Sequence, residues 1–388
     1  MKHSLIALAI GTFALGIAEF GMMGILGDVA DSLGINIVKA GHLISMYSLG
    51  VAVGAPSLIL LRRMPLKKLM MLLAGFIVIG NTLAALAPNF GVLLVARFIS
   101  GLPHGAYFGA GAIVCSRLAG SGKGAQAVAV LVGGMTVANV VDVPGATFVS
   151  NVASWRVAFA IVAAFGLAAY ISIRQLMPVL AALPDTGIKG QFAFLRHYQP
   201  WLIYTGVFFG QASVYCWFSY IEPVMTDVAH FTGAQMTPVM TLAGCGMVFG
   251  NYIAGKLADR FNAAIIPAWI AALLLAIMPA IYFFADVKWL VLLLTFLATG
   301  CLFGLGGPLQ YLIVRYAKGG EMLGGAGIQI AFNVSNAMSA AVGGAVINAG
   351  FGLASPALAG VPFALIGATA LFILNNRTHG CTDKTPKD

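Results

Sequence analysis

The sequence predicts an all-α membrane protein of twelve transmembrane helices in two pseudo-symmetric six-helix halves, and three observations predict it. Hydrophobic residues make up 60% of the 388 and charged residues only 9%, whereas a soluble domain is about a quarter charged. Apolar runs of about 20 residues, enough to cross a bilayer, recur near 4–26, 40–61, 68–87, 91–115, 125–149, 155–177, 200–221, 235–255, 264–285, 289–315, 323–348 and 352–374. With the N-terminus inside, 17 of the 21 Lys and Arg fall on the cytoplasmic side and 3 (Lys39, Arg156, Lys288) outside, with Arg97 left within a span. That excess predicts that both termini are cytoplasmic. The formal charge of +9 is therefore topology, and no nucleic-acid partner is expected.

Taken in order, the first span opens like a signal peptide, MKHSLIALAIGTFALGIA. Its apolar run continues to Leu26, so it reads as a retained helix carrying Glu19. The loop after the second span, LLRRMPLKK, is basic, and the fourth span holds RFISGLPHG, Arg97 to Gly105, with His104 seven residues after Arg97. The fifth, within Ala125 to Ser150, is almost wholly apolar or small, yet Asp142 sits well inside it, just before Pro144 and Gly145. A carboxylate at that depth raises the insertion free energy by roughly 2.5–3.5 kcal/mol, so it should face a partner or a cavity. The five cysteines (Cys115, Cys216, Cys245, Cys301, Cys381) form no close pair or metal spacing, which indicates neither a disulfide framework nor a zinc site.

The longest hydrophilic break gives the domain plan: residues 1–177 as one six-helix half, 178–199 as a central cytoplasmic loop, 200–374 as the second half and 375–388 as a cytoplasmic tail. Ala138 to Asp142 resembles Phe332 to Asn336 at an offset of 194, and Arg63 matches Arg260 at an offset of 197. Halves repeated in this way predict a substrate site near the midplane, reached alternately from each side.

Helical rise places Glu19, Arg97 and Asp142 at one level, roughly 6–9 Å to the outer side of the midplane, with His104 about two turns below Arg97. One arginine can balance one acid, so the second carboxylate is left to take up a proton, the requirement for proton coupling. Asp142 is the expected titrating acid and Glu19 the expected partner of Arg97. A static, fully paired cluster locking three helices together is the alternative. His104 suits either a proton relay or substrate binding, or a structural role donating to a carbonyl freed by Pro103. The expected substrate-binding polar groups are His104, Asn139, Gln211, Tyr215, Gln310, Gln329, Asn333 and Asn336. The last three share one helix face.

GKLADRF, Gly255 to Phe261, resembles a membrane-transport signature loop, although Asn262 replaces its final glycine. RFISGLPHG resembles a proton-coupling helix, and AEF (Ala18 to Phe20), SWR (Ser154 to Arg156) and SYIEP (Ser219 to Pro223) resemble sugar and nucleoside efflux permeases. On these residues the chain resembles the major facilitator superfamily over its whole length, and within it the proton-driven efflux branch. The resemblance implies a gating loop at Gly255, Asp259 and Arg260, and a sliding contact between the glycines of the fifth and eighth helices. The loop after the second span departs from the pattern, with Arg62 standing about where an acid belongs.

The expectation is a non-enzymatic, cofactor-free, monomeric antiporter of the bacterial inner membrane. It would export a sugar, nucleoside or amphipathic drug against protons by alternating access. No GxxxxGK[ST] loop is present, so the ion gradient should supply the energy. The rival readings are a proton-coupled importer and a divalent-metal exporter using Asp142, Glu19 and His104 as ligands.

Overall fold

The computed structural model describes residues 2–35, 37–58, 60–120 and 122–382, with side chains at all of these except 23, 24, 37, 38, 143, 144, 147, 151, 233, 234 and 378–382. The side chain of Cys381 and residues 383–388 of the expected tail thus lie outside what is described. No strand occurs among the described residues. The long helices are α1 (Lys2–Leu33), α2 (Ile37–Ser57), α3 (Leu66–Ala85), α4 (Phe90–Leu118), α5 (Gly124–Val152) and α6 (Trp155–Leu176). They continue as α7 (Tyr198–Phe218), α8 (Gly233–Arg260), α9 (Ile265–Phe283), α10 (Lys288–Tyr316, interrupted at Leu305), α11 (Glu321–Asn348) and α12 (Val361–Thr382).

Among the described residues nine of these are long and apolar enough to cross a membrane, all but α2, α7 and α8. Helix ends follow local signals rather than hydropathy. Gly34 turns the chain after α1 with φ +63°, a conformation glycine adopts without cost. Asn89 caps α4 by accepting from Val92 N at 3.0 Å, and Ser154 caps α6 by accepting from Arg156 N at 3.2 Å.

The chain divides into two compact units. The first comprises Met1–Phe194 and Ala317–Ile330. In it α1 packs on α5 and α6, α2 on α4, and α3 on α4 and α6. The second comprises Leu195–Tyr316 and Ala331–Asp388, with α8 on α10 and α12 on α7 and α9. Large apolar side chains such as Val95, Trp269 and Leu365 are exposed while Arg97 and His104 are fully buried, the distribution expected of a chain whose outer solvent is hydrocarbon.

Small residues set the closest approaches. A Cβ at Gly134 of α5 would lie 2.0 Å from Ala9 O of α1, and one at Gly250 of α8 would lie 2.0 Å from Gly300 O of α10. Each of these glycines therefore serves packing inside its own unit, as small residues do between membrane helices.

Candidate functional site

The buried charges gather in the first unit around a residue that the sequence did not single out, Tyr47 of α2. Gly101 of α4 lets α2 approach, since a Cβ there would lie 2.2 Å from Tyr47 O. The Arg97 guanidinium then sits 4.4 Å from the Tyr47 ring centroid and 5.7 Å from that of Phe159. Its Nη1 donates to Ala18 O at 2.6 Å and its Nε to Leu43 O at 3.3 Å, while Nη2 has no hydrogen-bond partner among the described residues. The Tyr47 hydroxyl reaches the other way, 2.9 Å from His104 Nδ1 and 3.4 Å from Leu15 O. His104 also stacks on Phe108, ring centroids 5.4 Å apart.

Glu19 Oε2 lies 3.8 Å from His104 Nε2, an ion-pair distance without a hydrogen bond. Asp142, 2% exposed, meets the Gly21 backbone and closes no ion pair among the described residues. Its Oδ1 is directed at Gly21 of α1, and a Cβ at Gly21 would lie 2.6 Å from it. Thus α1, α2, α4 and α5 bring Glu19, Arg97, His104 and Asp142 into one neighbourhood. Among the described residues no ion pair closes between Arg97 and either acid. Among the described residues His104 meets the Tyr47 hydroxyl and no carbonyl freed by Pro103. A tyrosine within a membrane span was the available clue to Tyr47.

No three His, Cys, Asp or Glu side chains among the described residues converge as a metal site requires. The polar substrate candidates fall in both units. Asn139, His104 and Gln329 belong to the first, and Gln329 Cβ lies 3.6 Å from the Cβ position of Gly105. In the second, Gln211 and Tyr215 are buried on α7, and Gln310 on α10. Tyr215 packs edge-on against Phe332, centroids 5.5 Å apart, beside Asn333 on α11. Asn333 and Asn336 are half-buried.

The basic loops resolve differently from expectation. Gly255, Asp259 and Arg260 lie within the last turns of α8 and not in a loop, because the helical ladder runs on until Phe261 N donates to Leu257 O at 2.9 Å. Asn262, standing for the motif's glycine, makes the turn instead, accepting from Ala264 N at 2.9 Å. After α2, the missing acid is supplied by the central loop. Asp185 accepts from Arg63 Nε at 2.5 Å and Arg62 Nε at 2.7 Å. Hydrogen bonds from Arg63, Arg62 and Gly187 N hold its carboxyl well below the usual carboxylate range. The same loop is tied to the start of α3 by Leu66 N donating to Leu180 O, and to Gly319 O by Thr186 Oγ1 at 2.7 Å and Gln191 Nε2 at 2.9 Å.

Comparison with known proteins gives the family. The model of the Major Facilitator Superfamily matches residues 8–328. The chain is 41% identical over 372 residues to the Escherichia coli (strain K12) protein named "Putative transporter AraJ", covering 96% of this chain and 94% of that one. It is 35% identical over 376 residues to the inner membrane transport protein YdhP of Escherichia coli O157:H7, covering 96% and 95%. The crystal structure of the major facilitator transporter FucP in the outward conformation shares the fold, with a TM-score of 0.77 at 15% identity over 95% of this chain and 98% of that one. The chain therefore belongs to the major facilitator superfamily, as a multi-pass membrane transporter and not an enzyme.

Proposed function

We propose that this protein is a proton-coupled secondary transporter that exports a small organic molecule across the bacterial inner membrane by alternating access. In this reading it has twelve spans, cytoplasmic termini, halves at 1–177 and 200–374 joined by the 178–199 loop, and acts as a monomer without cofactor. The observation that carries it is the under-paired cluster of Glu19, Arg97, His104 and Asp142. An arginine anchored on carbonyl oxygens and on an aromatic face keeps its charge in place. With two acids near one such cation, uptake of one proton brings the group to neutrality, and loss of that proton restores a charge in an apolar surrounding. A static lock would instead close its ion pairs, because a buried charge without partners is costly.

Coupling follows if proton and substrate occupancy favour different conformations of the transporter. Asp142 is the proposed titrating acid, and the Glu19–His104 pair is the proposed path by which a proton enters or leaves. Amides at Asn139, Gln211, Gln310, Gln329, Asn333 and Asn336, with the Tyr215–Phe332 pair, suit an uncharged or weakly polar ligand such as a sugar, nucleoside or amphipathic drug. Export rather than import rests on the efflux-like AEF, SWR and SYIEP segments. The α8 terminus with Gly255, Asp259 and Arg260 is the proposed gate.

The test uses purified protein in liposomes enclosing a pH dye, screened with sugars, nucleosides and cationic drugs, wild type beside Asp142→Asn. Substrate-dependent proton movement that is lost in the variant, with antiport polarity on gradient reversal, is the expected result. Flux that is unchanged in Asp142→Asn removes this carboxylate from the mechanism, and symport polarity makes the protein an importer.

A further inference from the structure

Helices α3 and α6 leave between them a groove of about 440 Å³. Its floor follows one face of α3, at Lys68, Leu72, Gly75, Phe76 and Ile79, with Tyr170 of α6 on the opposite wall. These positions recur three and four residues apart, as one helix stripe requires. At 1.5 Å per residue the stripe is about 16 Å long, which matches one leaflet of a hydrocarbon core about 30 Å thick. Gly75 keeps the groove open, since a Cβ there would meet nothing within 4 Å.

The two ends of the groove differ in charge. Its Ile79 end is apolar, while the other end carries Lys68, and Arg174 stands four residues past Tyr170 on the same face of α6. Among the described residues neither cation forms an ion pair with a carboxylate. Their basic neighbours are engaged elsewhere, Lys67 Nζ with Met177 O at 2.6 Å, and Arg62 and Arg63 with Asp185.

We propose that this groove is a binding site for an anionic phospholipid, with the phosphate between Lys68 and Arg174 and one acyl chain along Leu72, Gly75, Phe76 and Ile79. Assignment to the cytoplasmic leaflet rests on the orientation proposed above. Binding itself requires only that the cations lie at one end of a one-leaflet apolar channel.

Native mass spectrometry of the purified full-length protein, exchanged into detergent containing phosphatidylglycerol or phosphatidylcholine of identical chains, tests the site. Wild type should retain phosphatidylglycerol in preference. Lys68→Gln/Arg174→Gln should weaken that lipid about 30-fold and leave phosphatidylcholine unchanged, each cation near an anionic surface contributing about fivefold. Gly75→Leu, which fills the groove from an open position, should weaken phosphatidylglycerol while melting as wild type does. Equal retention of the two lipids by wild type, or a preference that survives the double variant, overturns the proposal. Loss in the double variant with Gly75→Leu unaffected also overturns it, because the lipid would then be held by surface charge alone. None of these readouts involves transport, so failure here and failure of the proton-coupling reading are separately visible.

Discussion

Gly21 stands where Asp142 needs room, and adding one methyl group tests how closely the two are coupled. A Cβ at Gly21 would lie 2.6 Å from Asp142 Oδ1, 3.4 Å from Cγ and 3.5 Å from Oδ2. Ordinary contacts begin at about 3.5 Å, so in Gly21→Ala the carboxyl oxygen must retreat by roughly 0.9 Å. Asp142 is 2% exposed, and the retreat has to be taken up by packed neighbours. Overpacking of this kind costs about 1–3 kcal/mol, against a gain of about 1 kcal/mol for alanine over glycine inside a helix. The net expectation is a loss of roughly 1 kcal/mol. In an Asp142→Ala background the three crowding atoms are gone and only the helix gain remains, so the same substitution should become neutral or stabilising. The coupling energy is therefore about 1–3 kcal/mol, as for residues in direct contact. Thermal melting of the four proteins in one detergent measures it. Equal effects of Gly21→Ala in both backgrounds would show that the two residues do not touch and would refute the placement of Asp142 against α1.

Tyr47→Phe leaves His104 Nδ1 without its hydroxyl partner but keeps the ring under Arg97, so it should cost about 1–3 kcal/mol. Tyr47→Ala should cost about 0.5–2 kcal/mol more for the lost cation–π contact, and equal melting of the two variants would deny that contact. Asp185 has a depressed carboxyl, so its bridge to Arg63 and Arg62 contributes fully above the ordinary carboxylate value of about 3.9 and is lost as pH falls below it. The melting difference between wild type and Asp185→Asn should thus be constant through neutral pH and shrink only in acid; a difference that disappears near neutrality would contradict the bridge. Gly250→Ala drives a Cβ to 2.0 Å from Gly300 O, a backbone atom that cannot rotate away, whereas a Cβ at Gly27 meets nothing within 4 Å. Size-exclusion profiles should show Gly250→Ala failing to accumulate as a folded peak and Gly27→Ala matching wild type.

The all-helical fold was legible because apolar length and breaks in hydropathy fix where helices run in a membrane. Helix ends were less so: α8 continues through the charged GKLADR segment, since a helix leaving the bilayer is stopped by its cap and not by its polarity. Asp142, Glu19 and Arg97 could be placed at one level from rise per residue alone. What rise per residue does not give is azimuth, so the Glu19–His104 approach, the Tyr47 bridge and the Gly21–Asp142 contact were invisible. The role of Asp185 was hidden for a different reason. Its partners lie more than a hundred residues away in sequence, and a lone acid in a loop carries no periodic signal.

The other polar groups of the first unit bear on the proton coupling proposed for the cluster. Thr12 Oγ1 donates to Leu131 O at 2.6 Å and Ser100 Oγ to Ala96 O at 2.8 Å. These groups tie helices together or satisfy themselves along their own helix, which is how polar side chains are tolerated among apolar neighbours. In contrast, Glu19 Oε2, Arg97 Nη2 and His104 Nε2 are buried without a hydrogen-bond partner among the described residues, and the buried Asp142 carboxyl has no side-chain partner there. Each such atom costs about 1–3 kcal/mol, so their concentration in one place stores a cost that packing alone gives no reason to keep. A proton added to a carboxylate here converts an acceptor into a donor and removes a charge, which changes what its neighbours can bond to. The least satisfied part of the unit is therefore also the part whose bonding one proton can rearrange, and that combination is what a proton-driven conformational change requires.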